Sequence, residues 1–192
     1  MLNHPAFDQI NYTSLKFSCG GGAPLAKETL KAWEQRTGVP ALEGYGMTEG
    51  APTCNNPFFG ERRVLSVGKP VYGIELEIVD VASGKKVLND GEHGEIRVRG
   101  DHIAKGYFNN TEATSMAFRG NWLYTGDVAY RDKDGFIYIV DRAKDMAIVS
   151  GFNVFPREID EVLMAHADIK EAASIAVPNA EKDSKARSRT RM

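Results

Sequence analysis

The period of apolar and polar positions changes along the chain, and each change marks a new kind of element. Residues 12–19 place Leu15 and Phe17 on one side of a short predicted strand. Gly20-Gly21-Gly22-Ala23-Pro24 follows as a turn whose proline suits a first helical position. A helix is predicted from Pro24 to about Thr37, with Ala26, Leu30 and Trp33 on one face and Gly38 as its cap. Strand, glycine turn and helix read together as the end of an α/β layer. From about Leu65 the period is two. Ile74, Leu76 and Ile78 alternate with Glu75 and Glu77, and Ile96 and Val98 alternate with Arg97 and Arg99. Asp134-Gly135 lies between two apolar-rich runs and signals a hairpin. Residues 65–140 are therefore predicted as an antiparallel β unit, with a small barrel as the candidate closure.

After Asp141 the character changes again. Pro156 opens a predicted helix with Ile159, Val162, Leu163 and His166 near one face, and Ala172 to Val177 reads as a buried strand ended by Pro178. The polar residues that follow read as structureless, which leaves too little apolar material for a closed small core. The fold class expected is α/β grading into α+β. It divides into the end of an α/β part (1–60), a β-barrel-like part (61–141) and a shortened, mobile C-terminal part (142–192).

Charge narrows the partners. The formal net charge is −2, but Lys185, Arg187, Arg189 and Arg191 crowd the last eight residues, so the rest is clearly acidic. That pattern argues against nucleic acid as main partner and reads the tail as a solvated basic end. The two cysteines, Cys19 and Cys54, form no framework and no metal spacing. The first ten residues carry no signal-peptide pattern, and no apolar run reaches the ~20 residues of a spanning helix. A cytoplasmic chain with at most peripheral membrane association is expected.

Three segments could carry chemistry. The glycine run 20–22 lets backbone approach a ligand, but Leu25 stands where a dinucleotide loop needs its third glycine. In Gly44-Tyr45-Gly46-Met47-Thr48-Glu49, two glycines bare one face of an aromatic ring for stacking. The hydroxyl and carboxylate after them suit a phosphate oxygen and a hard cation. The same segment also fits a loop feeding a helix, with Thr48 as its cap. Tyr124-Thr125-Gly126-Asp127 sets a carboxylate just beyond a glycine, able to accept both hydroxyls of a ribose or simply to close an Asx turn. Asp132 to Gly135 fails as a calcium loop because Tyr130 occupies the first ligand position, and the four histidines lack ligand spacing.

Taken in order, these segments resemble the adenylate-forming enzymes, and among them the bacterial long-chain fatty acyl-CoA synthetases. Gly20 to Leu25 is similar to the loop beneath the adenine. Glu43 to Glu49 resembles the family's aromatic-Gly-x-Thr-Glu motif. Gly94-Glu95-Ile96 through Gly106-Tyr107 resembles the next core motif. Asn121 to Asp127, continued to Asp141-Arg142, resembles the fatty acyl-CoA synthetase signature, and Asp145 to Pro156 the opening of a mobile C-terminal domain. The resemblance runs from about residue 12 to 178.

The resemblance implies roles. Tyr45 stacks on adenine, with Gly21, Gly22, Ala23 and Pro24 along its edge and Glu43, Gly44, Gly46 and Met47 shaping the same pocket. Thr48 contacts phosphate, and Glu49 holds the Mg²⁺ that accompanies ATP. Asp127 takes the ribose hydroxyls, assisted by Arg142. Lys144 is the hinge, and Ser150, Gly151 and Phe152 lie near the coenzyme A channel after the C-terminal part rotates. The implied reaction joins a fatty acid to coenzyme A through acyl-AMP, in a parent enzyme for which a homodimer is the assembly considered. Rivals are an adenylate-forming ligase for aryl or amino acids, and a nonenzymatic nucleotide-binding remnant.

Two family elements do not occur in the 192 residues. These are the Ser/Thr/Gly-rich phosphate loop with its lysine, and the C-terminal lysine that stabilises adenylation. Ser184 to Met192 reads as an out-of-frame continuation. The isolated chain is therefore expected to be inactive, because losing even one preorganised charge costs on the order of 10²–10³ in rate.

Overall fold

A computed structural model describes residues 1–23, 25–149, 152–166, 168–178 and 184–191. In chain order its elements are β1 (Ser18–Gly20), α1 (Lys27–Thr37), β2 (Ala41–Tyr45), β3 (Cys54–Asn55), β4 (Lys69–Pro70), β5 (Glu75–Val79) and β6 (Gly94–Arg99). There follow α2 (Thr111–Ala117), β7 (Phe118–Arg119), β8 (Trp122–Arg131), β9 (Ile137–Arg142), β10 (Ala147–Val149), β11 (Phe152–Val154), α3 (Pro156–Met164), β12 (Glu171–Pro178) and β13 (Ser184–Arg191). The chain forms two compact units: Met1–Glu77 with Arg97–Tyr124 and Arg131–Tyr138, and Ile78–Ile96 with Thr125–Tyr130 and Ile139–Met192. The fold is mixed α/β. A five-stranded sheet has the order β5-β6-β8-β7, with β9 on β8.

In the first unit, β1 runs parallel to β2 with α1 as the crossover, the pairing a βαβ connection requires. Strands β3 and β4 extend the sheet antiparallel, in the order β1-β2-β3-β4. The predicted strand over 12–19 is shorter than expected and begins only at Ser18. Asn11 Oδ1 accepts both the backbone N–H and the hydroxyl of Thr13, at 3.0 and 2.8 Å, and this Asx turn diverts the backbone before Leu15. Leu15 and Phe17 are consequently exposed.

Helix α1 starts three residues later than predicted. The Leu25 N–H is given to the buried Glu43 carboxylate at 3.1 Å, and Ala26 is extended. Pro24 lies outside the described residues. Leu30 is buried and Trp33 packs edge-on against Phe7 and Tyr12, while Ala26 faces out. Gly38 caps the helix in the left-handed region as expected, its N–H donating to Glu34 O.

Buried Asn56 and Ser66 have their side-chain polar groups satisfied, whereas the buried Trp33 Nε1 has no hydrogen-bond partner among the described residues. Asn56 Nδ2 donates to the carbonyls of Glu43 and Ser66, and its Oδ1 accepts from Arg63 N–H. Ser66 Oγ donates to Ile137 O at 2.7 Å and accepts from Gly68 N–H. The hairpin signalled by Asp134-Gly135 is present. Asp132 Oδ1 accepts from Asp134 and Phe136 N–H, closing the turn.

The core of the second unit is made by its strands. Ile78, Val79, Ile96, Val128, Ala129 and Val140 are buried. Val128, Val140 and Phe155 form a cluster against which Val81, Tyr130, Ala143 and Met146 pack. Phe155 directly precedes α3, whose Pro156 sits at the first helical position as predicted. Arg157 then ties the helix start to β9 through Asp141 Oδ2 and Ile139 O. On α3, Ile159 and Leu163 are half-buried but Val162 points outward, and His166 lies exposed beyond the helix end, so the apolar face is narrower than predicted.

Strand β12 exists as expected but is not buried. Ala172, Ser174 and Ala176 are half-buried while Glu171, Ala173 and Ile175 are exposed, the alternation of a one-sided strand. The segment read as structureless is strand β13, antiparallel to β12 from Glu171↔Arg191 to Pro178↔Ser184. The basic count hid a period of two: Ser184, Ala186, Ser188 and Thr190 alternate with Lys185, Arg187, Arg189 and Arg191.

Candidate functional site

Strand β2 carries the aromatic-glycine motif, and its neighbours explain the residues around Tyr45. A Cβ on Gly21 would stand 3.1 Å from Gly44 O, and one on Gly44 would stand 2.8 Å from Asn55 Oδ1. Bare backbone at Gly21 lets the glycine turn after β1 lie close to β2, and at Gly44 it admits Asn55 of β3. Glu43 reinforces this from the side, through its bond to Leu25 N–H. Tyr45, half-buried, ends the strand, and its carbonyl accepts Thr53 N–H at 2.8 Å. No helix follows. Gly50 N–H returns to Met47 O at 3.0 Å, so Met47 to Gly50 is a turn, with Thr48 exposed rather than capping a helix.

Glu49 is the second charged group of this motif, and two contacts fix it. Its carbonyl accepts Ala104 N–H at 2.7 Å, and its Oε1 accepts the Tyr107 hydroxyl at 2.6 Å. Tyr107 is itself held. Its N–H donates to Thr114 Oγ1 on α2, and its ring meets Phe118 edge-on. The hydrogen bond to Glu49 raises the phenol pKa above its ordinary value, with partial burial and the carboxylate charge adding to it. Sequence reasoning noted Tyr107 only as the end of a motif. Its bond to Glu49 closes 58 positions of chain, a separation that no local pattern signals.

The second unit positions the other acidic candidate. Gly126 interrupts β8 with φ +74°, where an added Cβ would meet nothing within 4 Å, so the backbone is open to approach on that side. The Gly126 N–H donates to Glu95 Oε1 at 3.0 Å, and its carbonyl accepts Ala143 N–H at 2.8 Å. Thr125 Oγ1 donates to Ile96 O and accepts Asp127 N–H at 3.1 Å. Asp127 follows with its side chain largely buried, 3.4 Å from Arg142 Nε. Arg142 is mostly exposed, so this pair adds little stability and leaves the guanidinium free to swing.

Lys144 is exposed in the turn after β9, where Asp145 N–H donates to Arg142 O at 3.0 Å. Phe152 is 75% exposed. Ser150 and Gly151 lie outside the described residues. Gly21, Gly22, Ala23, Glu43 to Glu49 and Tyr107 thus belong to the first unit, and Asp127, Arg142, Lys144 and Phe152 to the second. Among the described residues no group of three or more His, Cys, Asp or Glu could hold a metal ion, and no helix is long and apolar enough to cross a membrane.

Residues 1–108 match the AMP-binding enzyme family. The chain is 41% identical over 180 residues to a long-chain-fatty-acid–CoA ligase of Escherichia coli O157:H7, covering 93% of this chain and 32% of the relative. It is 41% identical over 158 residues to a 2-succinylbenzoate–CoA ligase of Bacillus pumilus, covering 80% and 31%. ATP-bound MatB from Rhodopseudomonas palustris superposes with a TM-score of 0.85 at 35% identity, over 91% of this chain and 35% of that one. The anthranilate–CoA ligase AuaEII in complex with anthranoyl-AMP gives 0.85 at 33% identity, over 98% and 36%. The chain spans about a third of the length of the curated relatives it matches.

Proposed function

The chain belongs to the AMP-binding enzyme family, and on that premise we propose that it is part of an AMP-forming long-chain fatty acid–CoA ligase. The observation that carries this reading is the Glu43–Glu49 segment. There an aromatic, a hydroxyl and a carboxylate follow one another on a strand end whose two glycines admit close backbone approach. The relatives named as long-chain-fatty-acid–CoA ligases, from Escherichia coli to Bacillus subtilis, favour fatty acids as the acyl class.

The roles follow the chemistry of each group. Tyr45 offers its ring to the adenine, and Gly21, Gly22, Ala23 and Pro24 offer backbone to its edge. Thr48, exposed at the turn, donates to a phosphate oxygen. Asp127 accepts the two ribose hydroxyls, and Arg142 balances its charge. A lone carboxylate, Glu49, fits Mg²⁺, which keeps several waters and takes most of its other ligands from phosphates. That ion would neutralise charge on the phosphates. Tyr107 orients Glu49 through its hydrogen bond to Oε1.

In the reaction a fatty carboxylate attacks the α-phosphorus of ATP, pyrophosphate leaves, and acyl-AMP forms. The thiol of coenzyme A then attacks the acyl carbon and AMP departs. Alignment and charge stabilisation, rather than a protein nucleophile, lower both barriers. Lys144 serves as the hinge, and Ser150, Gly151 and Phe152 border the coenzyme A path. The whole enzyme works in the cytoplasm on small-molecule substrates, with the three parts 1–60, 61–141 and 142–192 as its domain pieces.

Neither lysine-bearing motif occurs in the 192 residues, so the chain by itself is inactive in this reading. ATP–pyrophosphate exchange with palmitate, measured on the purified chain, should stay at background, and robust exchange would overturn that part. Aryl acids are the second reading, favoured by the likeness to the 2-succinylbenzoate–CoA ligase. A panel of fatty and aryl acids offered to the full-length enzyme separates the two.

A further inference from the structure

We propose that Glu95 is a positioning residue for the ribose: its carboxylate holds the Gly126 peptide in the one orientation that presents Asp127 to the sugar hydroxyls. This inference rests on the reading that Asp127 takes those hydroxyls. Strand β6 explains why the carboxylate is available. Ile96 and Val98 point into the core and are fully buried, so Glu95, one position away, stands on the other face. There its Oε1 lies 3.0 Å from Gly126 N.

The need for such a partner comes from Gly126. A strand residue at φ +74° turns its N–H out of the pleated ladder, and a half-buried donor left without an acceptor is unfavourable. Glu95 supplies that acceptor with a carboxylate oxygen at 3.0 Å. The peptide on the other side of Gly126 is held as well, because its carbonyl accepts Ala143 N–H at 2.8 Å. Thr125 adds a third tie from β6, through Ile96 O. Asp127 is the next residue, so the direction of its carboxylate is set by two successive peptides, each held by a hydrogen bond. Without Glu95 the Gly126 peptide is free to rotate toward an ordinary strand conformation, and Asp127 moves off line with it.

The test is AMP and 2′-deoxy-AMP binding to the 192-residue chain, by titration calorimetry. The variants are Glu95→Gln, which keeps an acceptor oxygen, Glu95→Met, which removes it at similar volume, and Asp127→Ala. Circular dichroism confirms that each is folded. Glu95→Met should weaken AMP about 10-fold and erase the preference for AMP over the 2′-deoxy nucleotide, as loss of a charged hydrogen bond implies. Glu95→Gln should stay within about 3-fold of wild type and keep the preference. A purely structural role would weaken both nucleotides alike and leave the preference intact, which would overturn the proposal. If Asp127→Ala binds as tightly as wild type, the ribose reading fails and takes the proposal with it. A fall in Asp127→Ala alone, with both Glu95 variants unchanged, overturns only the proposal. Amide hydrogen exchange on the wild-type chain needs no variant to fold. Slow exchange at Gly126 that AMP slows further is expected, and exchange at the rate of an exposed loop amide with or without AMP would contradict it.

Discussion

Cys54 and Cys19 sit in one sheet of the first unit, and burial alone separates their chemistry. Cys54 is 1% exposed, and loss of solvation pushes its thiol up to about 12, whereas Cys19 is exposed. A maleimide at neutral pH should label one thiol per native chain and two in denaturant. Two labels on the folded chain would place Cys54 at the surface. Gly68 offers a second contrast. With φ +87°, its missing Cβ would fall 2.0 Å from the Asn55 carbonyl, whereas a Cβ on Gly38 would meet nothing within 4 Å. Gly68→Ala should therefore cost about 3 kcal/mol or more in urea unfolding, and Gly38→Ala about 1 kcal/mol. Equal losses would show that the approach of Gly68 to β3 is not tight. At this scale the chemistry-bearing residue types were legible, since Tyr45, Glu49 and Asp127 follow glycine-marked motifs. Their holders were not: Glu43 reaches Leu25 across 18 positions, Tyr107 reaches Glu49 across 58, and Glu95 reaches Gly126 across 31. Side-chain bonds of that span leave no periodic trace.

Helix α1 is fastened to β2 by Glu34. Its Oε1 accepts Ala41 N–H at 3.0 Å and meets Arg62 at 2.6 Å. Burial opposes the charged form, but the Arg62 hydrogen bond, the Ala41 N–H and the arginine charge outweigh it and hold the carboxyl below its ordinary 4.5. A depressed carboxyl stabilises the fold above its unfolded pKa, and that contribution fades as pH falls through the folded value. Glu34→Gln should thus lower stability by about 1 kcal/mol at pH 7, and the difference should shrink as pH falls below the ordinary carboxylate range. A difference that stays the same across the acid titration would assign the effect to packing instead. Element types with strong periods were legible, including the Asp134-Gly135 hairpin, the alternation in β5 and β6, and Pro156 at the start of α3. Two were misread for physical reasons. Asn11 makes an Asx turn where apolar spacing alone suggests a strand, and β13 alternates small with basic residues, so hydropathy shows no apolar side.

For the whole molecule, the parallel β1–α1–β2 crossover and the antiparallel strands after it agree with the expected grading from α/β into α+β. The order of motifs was legible because each lies within a dozen residues. The division into two compact units was not, since its boundary cuts β5, β6, β8 and β9, and only three-dimensional contacts define it. The proposal that Tyr45 and Asp127 each serve adenosine monophosphate is put to calorimetric titration of AMP into the purified chain, with Tyr45→Ala and Asp127→Ala alongside. Saturable 1:1 binding that each substitution weakens at least about 10-fold is the expected result, since stacking and a charged hydrogen bond are each worth that much. Absence of AMP binding to a folded wild-type chain, or binding that neither substitution changes, would contradict it.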